Sequence, residues 1–224
     1  MVHGWSAAPD LWQPVCRCVE QLDPARSPEW HFADPHWASD GARREPAGFP
    51  GGRYDLAVGH SAGLLWLLCG PLPANRLVSI AGFSRFWRDE NFLHGWDGRI
   101  LKRMRRNLGE DVAAVLKDFH QQASSAAAGR ADYAGPVASP DPVRLDSGLQ
   151  ALSTLDCREQ WSLFDGPRQV IAGTEDRIVP ARQTVDCFPD DSVEWIKSES
   201  HWIPWLFPET CAALILETLA RERS

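Results

Sequence analysis

The sequence predicts an α/β fold with a mostly parallel sheet, and three stretches carry this prediction. Residues 54–68 form a short apolar run, a sharp GHSAG turn and then an apolar segment of helix length. Residues 76–81 and 169–173 are further apolar runs of strand length. Strands that alternate with helical segments typically build a parallel sheet. The 224 residues, 44% of them hydrophobic, suit one α/β domain with a small insertion.

The GHSAG turn carries the first candidate chemistry. A Gly-x-Ser-x-Gly turn between a strand and a helix holds its serine in strained backbone angles and presents the hydroxyl at the C-terminal edge of the sheet. Ser61 is therefore the candidate nucleophile, and the backbone N–H of Ala62 is a candidate oxyanion donor. Because the pentapeptide alone is weak, the apolar strand and helix that flank it matter more. The alternative is a plain glycine-rich turn with an idle serine.

A serine nucleophile needs a base, and the base needs an acid that orients it. Asp176 follows the strand predicted at 169–173, and His201 follows a strand predicted at 193–196. Both are therefore expected at the sheet edge that carries Ser61. The order Ser, Asp, His predicts Ser61 as nucleophile, His201 as general base and Asp176 as the acid that holds the imidazole tautomer.

Weaker assignments of these roles remain open. Glu175 adjoins Asp176, but its side chain is expected to point away, and His60 adjoins the serine too closely for its ring to swing back to Oγ. In a purely structural interpretation, Asp176 shapes a turn and His201 is an ordinary loop residue. A surface or core role is expected for the remaining candidate bases, which are His31, His36, His94 and His120.

The first residues, Met-Val-His-Gly-Trp, are typical of a strand that ends at an oxyanion loop. The N–H of Trp5 would then be the second oxyanion donor beside that of Ala62. Only Met1 and Val2 precede His3, whereas such a strand usually has several apolar residues and a hairpin before it. Either the start of the chain is truncated or mis-assigned, or the sheet lacks its first strands. His3 is expected to have a structural hydrogen-bonding role.

The remaining predicted elements come from periodicity and from turn residues. Residues 30–33 are predicted to be a strand, and residues 36–53 a loop with at most a helical turn. Helices are predicted over residues 9–22, 144–155 and 208–221.

Residues 83–142 do not continue the alternation of strand and helix. They are predicted to form a helical lid, with helices over 99–108 and 110–125 and a returning loop over 129–142. The predicted organisation is therefore a core part at 1–82 that contains Ser61, the lid at 83–142, and a core part at 143–224 that contains the acid and base loops.

The first lid helix concentrates positive charge. Its cations Arg99, Lys102, Arg103 and Arg106 share one arc at helical spacing, and Arg105 completes a cluster of five in a chain with net charge −7. Such a run is either a solvated helix face or a docking face for an acidic partner.

Composition argues against several other classes of function. The negative charge disfavours nucleic-acid binding, and the absence of an apolar run of 18 residues predicts no membrane span. The N-terminus does not read as a signal peptide, so a cytoplasmic protein is expected. The six cysteines lack zinc-ligand spacing and are expected to be reduced thiols. No metal or cofactor is predicted.

Four motifs together resemble the α/β-hydrolase superfamily over almost the whole chain. They are HGW at 3–5, GHSAG at 59–63, GTEDRIVP at 173–180 and the final histidine loop. HGW, the lid, SGLQALSTLD at 147–156 and HWIPWLFP at 201–208 are most similar to the pimeloyl-acyl-carrier-protein methyl ester esterases of biotin synthesis.

The resemblance implies a serine carboxylesterase that releases methanol from a pimeloyl chain carried on acyl carrier protein. It also implies that Trp5 and Phe119 line the substrate site, and that arginines of the lid dock the acidic carrier protein. A small free ester, a thioester or a C–C cleavage substrate remains an alternative. So does a catalytically degenerate hydrolase that acts as a binding protein.

Overall fold

The computed structural model describes residues 1–38, 42–44, 52–72, 74–124, 132–135 and 141–222. Within these ranges the strands, in chain order, are β1 (His36–Trp37), β2 (Arg43–Arg44), β3 (Ala57–His60), β4 (Leu77–Ile80), β5 (Arg168–Gly173) and β6 (Val193–Ile196). In the described residues, β3, β4, β5 and β6 form a four-stranded sheet in that order, and every neighbouring pair is parallel. The C-terminal ends of these strands therefore meet at one edge of the sheet.

A 3-10 helix, Pro9–Trp12, precedes the described α-helices in the chain. They are α1 (Gln13–Leu22), α2 (Ala62–Leu68), α3 (Gly98–Leu108), α4 (Val112–Ala123), α5 (Pro142–Leu152), α6 (Arg158–Ser162), α7 (Ala181–Cys187), α8 (Ile203–Leu206) and α9 (Pro208–Ala220). None of these helices has both the length and the apolar content needed to cross a lipid bilayer.

The strands β3 and β4 and the C-terminal part of β5 are buried on both faces, whereas the edge strand β6 exposes Glu194 and Trp195. Successive residues of a strand point to opposite faces, so Val58, Val78 and Ile171 pack on the side covered by α1 and α9. Their neighbours Ala57, Leu77 and Val170 belong to the larger cluster on the other side, which includes all the leucines of α2.

Most of the predicted regular elements are confirmed. The predicted strands at 76–81, 169–173 and 193–196 correspond to β4, β5 and β6, and the predicted helices at 99–108 and 208–221 correspond to α3 and α9. The helix predicted over 9–22 begins with a 3-10 turn, because Pro9 and Pro14 both occupy first-turn positions. The helix predicted over 144–155 begins earlier, at Pro142, where the Asp141 side chain accepts a hydrogen bond from the Val143 N–H at 2.9 Å.

The strand predicted over residues 30–33 is wrong. Only Ala33 forms a bridge, with Val2, and Val2 also bridges Gly59 of β3. The Met1 amine donates to the His31 carbonyl at 2.6 Å, and the Ala33 N–H donates to the Met1 carbonyl at 3.0 Å. In the described residues, the sheet does not extend beyond this bridge.

Two predicted segments lie partly outside the described residues. The loop predicted over 36–53 contains the antiparallel pair of β1 and β2, and its parts at 39–41 and 45–51 are not described. The predicted lid helix over 110–125 ends at Ala123, and most of the returning loop at 129–142 is likewise outside the described ranges.

Replacing Gly63 with alanine is expected to lower the free energy of unfolding by about 3 kcal/mol or more. A Cβ at this position would lie 2.3 Å from the Val2 carbonyl oxygen and 2.6 Å from that of His3, so backbone would have to move. Gly98→Ala is the matched control, since a Cβ there meets nothing within 4 Å at the first residue of α3. Urea unfolding should separate the two variants, and equal stabilities would contradict the packing of α2 on residues 2–3.

Candidate active site

Ser61 lies in the turn between β3 and α2 at the C-terminal edge of the sheet. Its backbone angles, φ 54° and ψ −128°, fall in a region that non-glycine residues rarely occupy. The Ser61 N–H donates to the Ile80 carbonyl at 3.2 Å, which fixes the turn to the next strand. The turn also needs Gly59, where a Cβ would lie 2.6 Å from the Cα of Leu64.

The loop formed by residues 4–8, the Gly4 loop, lies directly beside Ser61. Val2 positions it, because the Val2 N–H donates to Val58 and the Val2 carbonyl accepts from the His60 N–H, at 2.8 and 2.9 Å. A Cβ on Gly4 would lie 2.8 Å from the Cβ of Ser61 and 3.2 Å from its Oγ. Within the described residues, neither the Trp5 nor the Ala62 N–H donates a backbone hydrogen bond.

Asp176 and His201 lie together in the loops that follow β5 and β6. His201 Nδ1 lies 2.7 Å from Asp176 Oδ2, and each side chain is only 1% exposed. The other carboxylate oxygen, Oδ1, accepts from the N–H groups of Ile178 and Val179 at 2.8 and 3.0 Å. Because an ionised carboxylate can only accept a hydrogen bond, Nδ1 of His201 carries the proton. The other ring nitrogen, Nε2, is buried without a partner in the described structure.

His60 connects the serine turn to the loop of residues 198–202, the His201 loop. Its Nε2 donates to the His201 carbonyl at 3.0 Å, and the rings of the two histidines are 4.8 Å apart. As expected from the sequence, His60 does not hydrogen-bond to Ser61 Oγ. It instead fixes the backbone of the residue that carries the imidazole, a contact that no local sequence signal predicts.

His60 makes stability sensitive to acid. Burial, together with the nearby His201, lowers the pKa of His60 well below its usual value of 6.5. Below pH 6.5 the unfolded chain therefore binds a proton that the folded protein excludes, and the unfolding free energy falls by about 1.4 kcal/mol per pH unit for that proton. His60→Gln should show a shallower loss of stability in urea unfolding between pH 7.5 and 5.5. Equal slopes would contradict a neutral buried His60.

The other candidate acids and bases of the sequence lie elsewhere. Glu175 is exposed, and its side chain does not approach the imidazole of His201. The Nε2 atom of His3 lies 2.5 Å from the Asp34 carboxylate, in keeping with a structural role. Three further histidines also stand apart from Ser61: His31 lies beside Glu29, His36 is in β1 and His94 lies beside Asp186. His120, in α4, contacts Ser6.

A narrow apolar cleft adjoins Ser61. Its volume is about 20 Å³, enough for roughly one water molecule. Trp5 and Phe119 both line it, and their rings meet edge to face at 4.9 Å between centroids. Outside it, between α3 and α4, lies a groove of about 250 Å³. Trp96, Met104 and Phe119 line both spaces, so these side chains separate the groove from the cleft.

The cations of α3 divide into two groups. Arg99 is exposed but pairs with Asp97 at 2.7 Å, and Arg105 pairs with Asp146 of α5 at 2.7 Å. Lys102, Arg103 and Arg106 are exposed and form no ion pair with the described carboxylates. We call these three residues the basic face. The arc predicted from the sequence is therefore exposed, but only part of it is free to meet a partner.

In the described ranges, no group of three or more His, Cys, Asp or Glu side chains is arranged to hold a metal ion. All six cysteines are free thiols.

Comparison with known proteins identifies the fold. A bromoperoxidase of Bacillus anthracis superposes with a TM-score of 0.72 at 17% identity, over 98% of this chain and 90% of that chain. An enol-lactonase of Burkholderia xenovorans LB400 superposes with a TM-score of 0.69 at 13% identity, over 98% and 90% of the two chains. The protein has the α/β-hydrolase fold. The predicted fold class is thus confirmed. We call α3 and α4, which lie between β4 and β5 in the chain, the helical insertion.

The sequence of this protein is also similar to that of an esterase. It is 27% identical over 205 residues to the pimeloyl-acyl-carrier-protein methyl ester esterase of Nitrosomonas europaea. The alignment covers 81% of this chain and 78% of that protein. This similarity agrees with the resemblance that the motifs indicate. No family model matches the chain.

Proposed function

We propose that the protein is a serine carboxylesterase with Ser61, His201 and Asp176 as its catalytic triad. The observation that carries this proposal is the buried pair of His201 and Asp176, with Nδ1 and Oδ2 2.7 Å apart and Nε2 left without a partner. The strained Ser61 lies at the same edge of the sheet. The triad stands in the chain order typical of this fold, Ser, Asp, His.

In the proposed reaction, Ser61 Oγ attacks the ester carbonyl while His201 Nε2 takes its proton. Asp176 keeps the other nitrogen protonated and stabilises the imidazolium. The N–H groups of Trp5 and Ala62 bind the oxyanion of the tetrahedral intermediate, since neither donates a backbone hydrogen bond to a described residue. Collapse expels the alcohol, which takes the proton from His201, and water then hydrolyses the acyl-enzyme by the same steps.

We propose an acyl ester as the substrate, with its chain in the space under the helical insertion. The cleft at Ser61 is apolar but holds only about 20 Å³, so a chain of several carbons requires side chains to move. Met104 and Phe119 separate the cleft from the larger groove between α3 and α4. Movement of these side chains would join the two spaces, and residues 83–142 would then act as a lid.

The proposed carrier of the acyl chain is acyl carrier protein, an acidic partner for the basic face. Two observations support this choice. Lys102, Arg103 and Arg106 are exposed and pair with none of the described carboxylates, and the similar protein of Nitrosomonas europaea is named for a carrier-protein ester. Opposite charges on two proteins raise the association rate and fix orientation, and salt weakens both effects. The specific proposal is a pimeloyl-acyl-carrier-protein methyl ester.

Reversing charge on the basic face should separate a carrier-linked substrate from a free one. Arg103→Glu/Arg106→Glu is expected to lower kcat/KM on the carrier-protein methyl ester by about 10-fold or more at low salt. Turnover of a short free methyl ester should stay within about twofold. Neither side chain lines the cleft at Ser61, and Arg103 lines only the groove outside it, which a short ester does not need to enter. Steady-state kinetics at two salt concentrations measures both effects.

Arg17→Glu is the control for charge reversal. Arg17 is exposed on α1, outside the helical insertion, so both substrates should be turned over at the wild-type rate. Equal losses on the free and the carrier-linked ester in the Arg103→Glu/Arg106→Glu variant would contradict carrier docking. A small free ester, the alternative substrate, would then be favoured.

A further inference from the structure

Ser6 is the second strained residue near the proposed active site. It follows Trp5 in the Gly4 loop, has φ 57° and is buried. A non-glycine residue adopts this backbone conformation only where surrounding contacts hold it. The contact of its side chain is to the helical insertion: Ser6 Oγ lies 3.0 Å from Nε2 of His120.

His120 is itself held firmly on α4. Its ring lies 5.3 Å from that of Trp202 and 5.9 Å from that of Phe119, measured between centroids. Gly135 packs against the ring so closely that a Cβ there would lie 2.3 Å from His120 Cε1. A side chain fixed on three sides can impose its position on the loop that it contacts.

The same helix also contacts the His201 loop. The Ala123 carbonyl, at the end of α4, accepts from the His201 N–H at 2.8 Å and from the Ser200 hydroxyl at 3.2 Å. α4 therefore contacts the two segments between which the ester would react. Its one polar side-chain contact with the Gly4 loop, within the described residues, is the pair of His120 and Ser6.

The peptide unit that carries the Trp5 N–H is held through its carbonyl oxygen, that of Gly4. This oxygen accepts from His3 Nδ1 at 2.9 Å and from the Ala7 N–H at 3.3 Å, and the second bond closes a turn that contains Ser6. The indole Nε1 of Trp5 donates to the Leu145 carbonyl at 2.9 Å, which fixes the side chain. The next residue, Ser6, fixes the path of the backbone after Trp5.

We propose that His120 is a positioning residue which, through Ser6, aims the Trp5 N–H at the oxyanion formed on Ser61. The inference rests on the proposed function and adds a residue that the triad does not include. The helical insertion then does more than cover the substrate, because only its seated position completes the oxyanion hole. His120 does not touch the reacting atoms.

The test uses Ser6→Ala, His120→Ala and their double variant on a short free methyl ester. Each single variant is expected to lower kcat by about 10- to 100-fold with KM nearly unchanged. A displaced oxyanion donor weakens the binding of the transition state but not that of the bound substrate. The double variant should lose no more than the worse single variant, because both changes break one contact. His120→Gln, whose amide can reach Ser6, should recover most of the loss.

Affinity for an alkyl trifluoromethyl ketone supplies a second readout. This ketone forms an oxyanion on the nucleophilic serine, so its inhibition constant should rise in proportion to the loss of kcat/KM across the variants. Gln121→Ala, at the exposed neighbouring position of α4, should match wild type in every assay. A contact that merely stabilised the fold would lower thermal stability without this proportionality.

These experiments distinguish a failure of the positioning role of His120 from a failure of the proposed function. If the wild-type serine does not react with a fluorophosphonate, the proposed function is wrong. If it reacts, and Ser6→Ala and His120→Ala keep wild-type kcat and ketone affinity, only the positioning role is wrong. Should His120→Ala fail to fold, Ser6→Ala decides alone, because it leaves α4 intact.

Discussion

Ser61→Ala is expected to abolish ester hydrolysis, with kcat reduced by about 10⁴- to 10⁶-fold. The hydroxyl is the proposed nucleophile, and no other described hydroxyl is proposed to replace it. Alanine keeps the backbone at φ 54° with a side chain of similar size, so the fold should survive. Steady-state kinetics on a short methyl ester, together with the thermal unfolding midpoint, separates lost chemistry from lost structure.

Substantial turnover by a pure, folded Ser61→Ala protein would contradict the proposed mechanism. A variant that lost activity only because it unfolded would give no such information, which is why the unfolding midpoint is measured with it. The expected result is a midpoint within a few degrees of wild type, since the substitution creates neither a cavity nor an unpaired charge.

Asp176→Asn is expected to lower kcat by about 10⁴-fold while leaving the loop intact. Oδ1 of Asp176 accepts from the N–H groups of Ile178 and Val179, so an amide oxygen can keep those bonds. The amide NH₂ then faces His201 Nδ1, where the carboxylate oxygen now lies at 2.7 Å. Nδ1 would have to accept, and Nε2 would carry the proton and could no longer take one from Ser61.

Glu175→Gln is the matched control for this variant. It makes the same chemical change at the adjacent carboxylate, whose side chain is exposed. Its kcat should equal that of wild type in the same assay. If Glu175→Gln were the damaging change and Asp176→Asn the neutral one, the acid would be assigned to the wrong residue.

The parts of the fold that local patterns determine could be predicted from the sequence. The strand β4 and the C-terminal part of β5 are short, buried apolar runs, and the helices of the insertion carry Asp97 and Asp111 as N-caps ahead of amphipathic segments. Short elements gave weaker signals. α6, α7 and α8 contain five, seven and four residues, too few for a clear periodic pattern, and no local signal predicts them.

Pairing between distant segments could not be predicted in the same way. The apolar run at 30–33 looks like a strand locally, but of these residues only Ala33 forms a bridge, with Val2. The candidate triad was found because the fold fixes the order in which its members follow strands. The contacts of His60 with the His201 backbone and of His120 with Ser6 join residues far apart in the chain, and no local spacing announces them.

Reaction with a fluorophosphonate tests the central claim most directly, since only a serine activated by a neighbouring base should be phosphonylated at an appreciable rate. Intact-mass and peptide analysis of the wild-type protein should show a single adduct on Ser61. The adduct should be absent in Ser61→Ala and greatly slowed in Asp176→Asn. An unlabelled wild-type protein, or an adduct on another residue, would contradict the account.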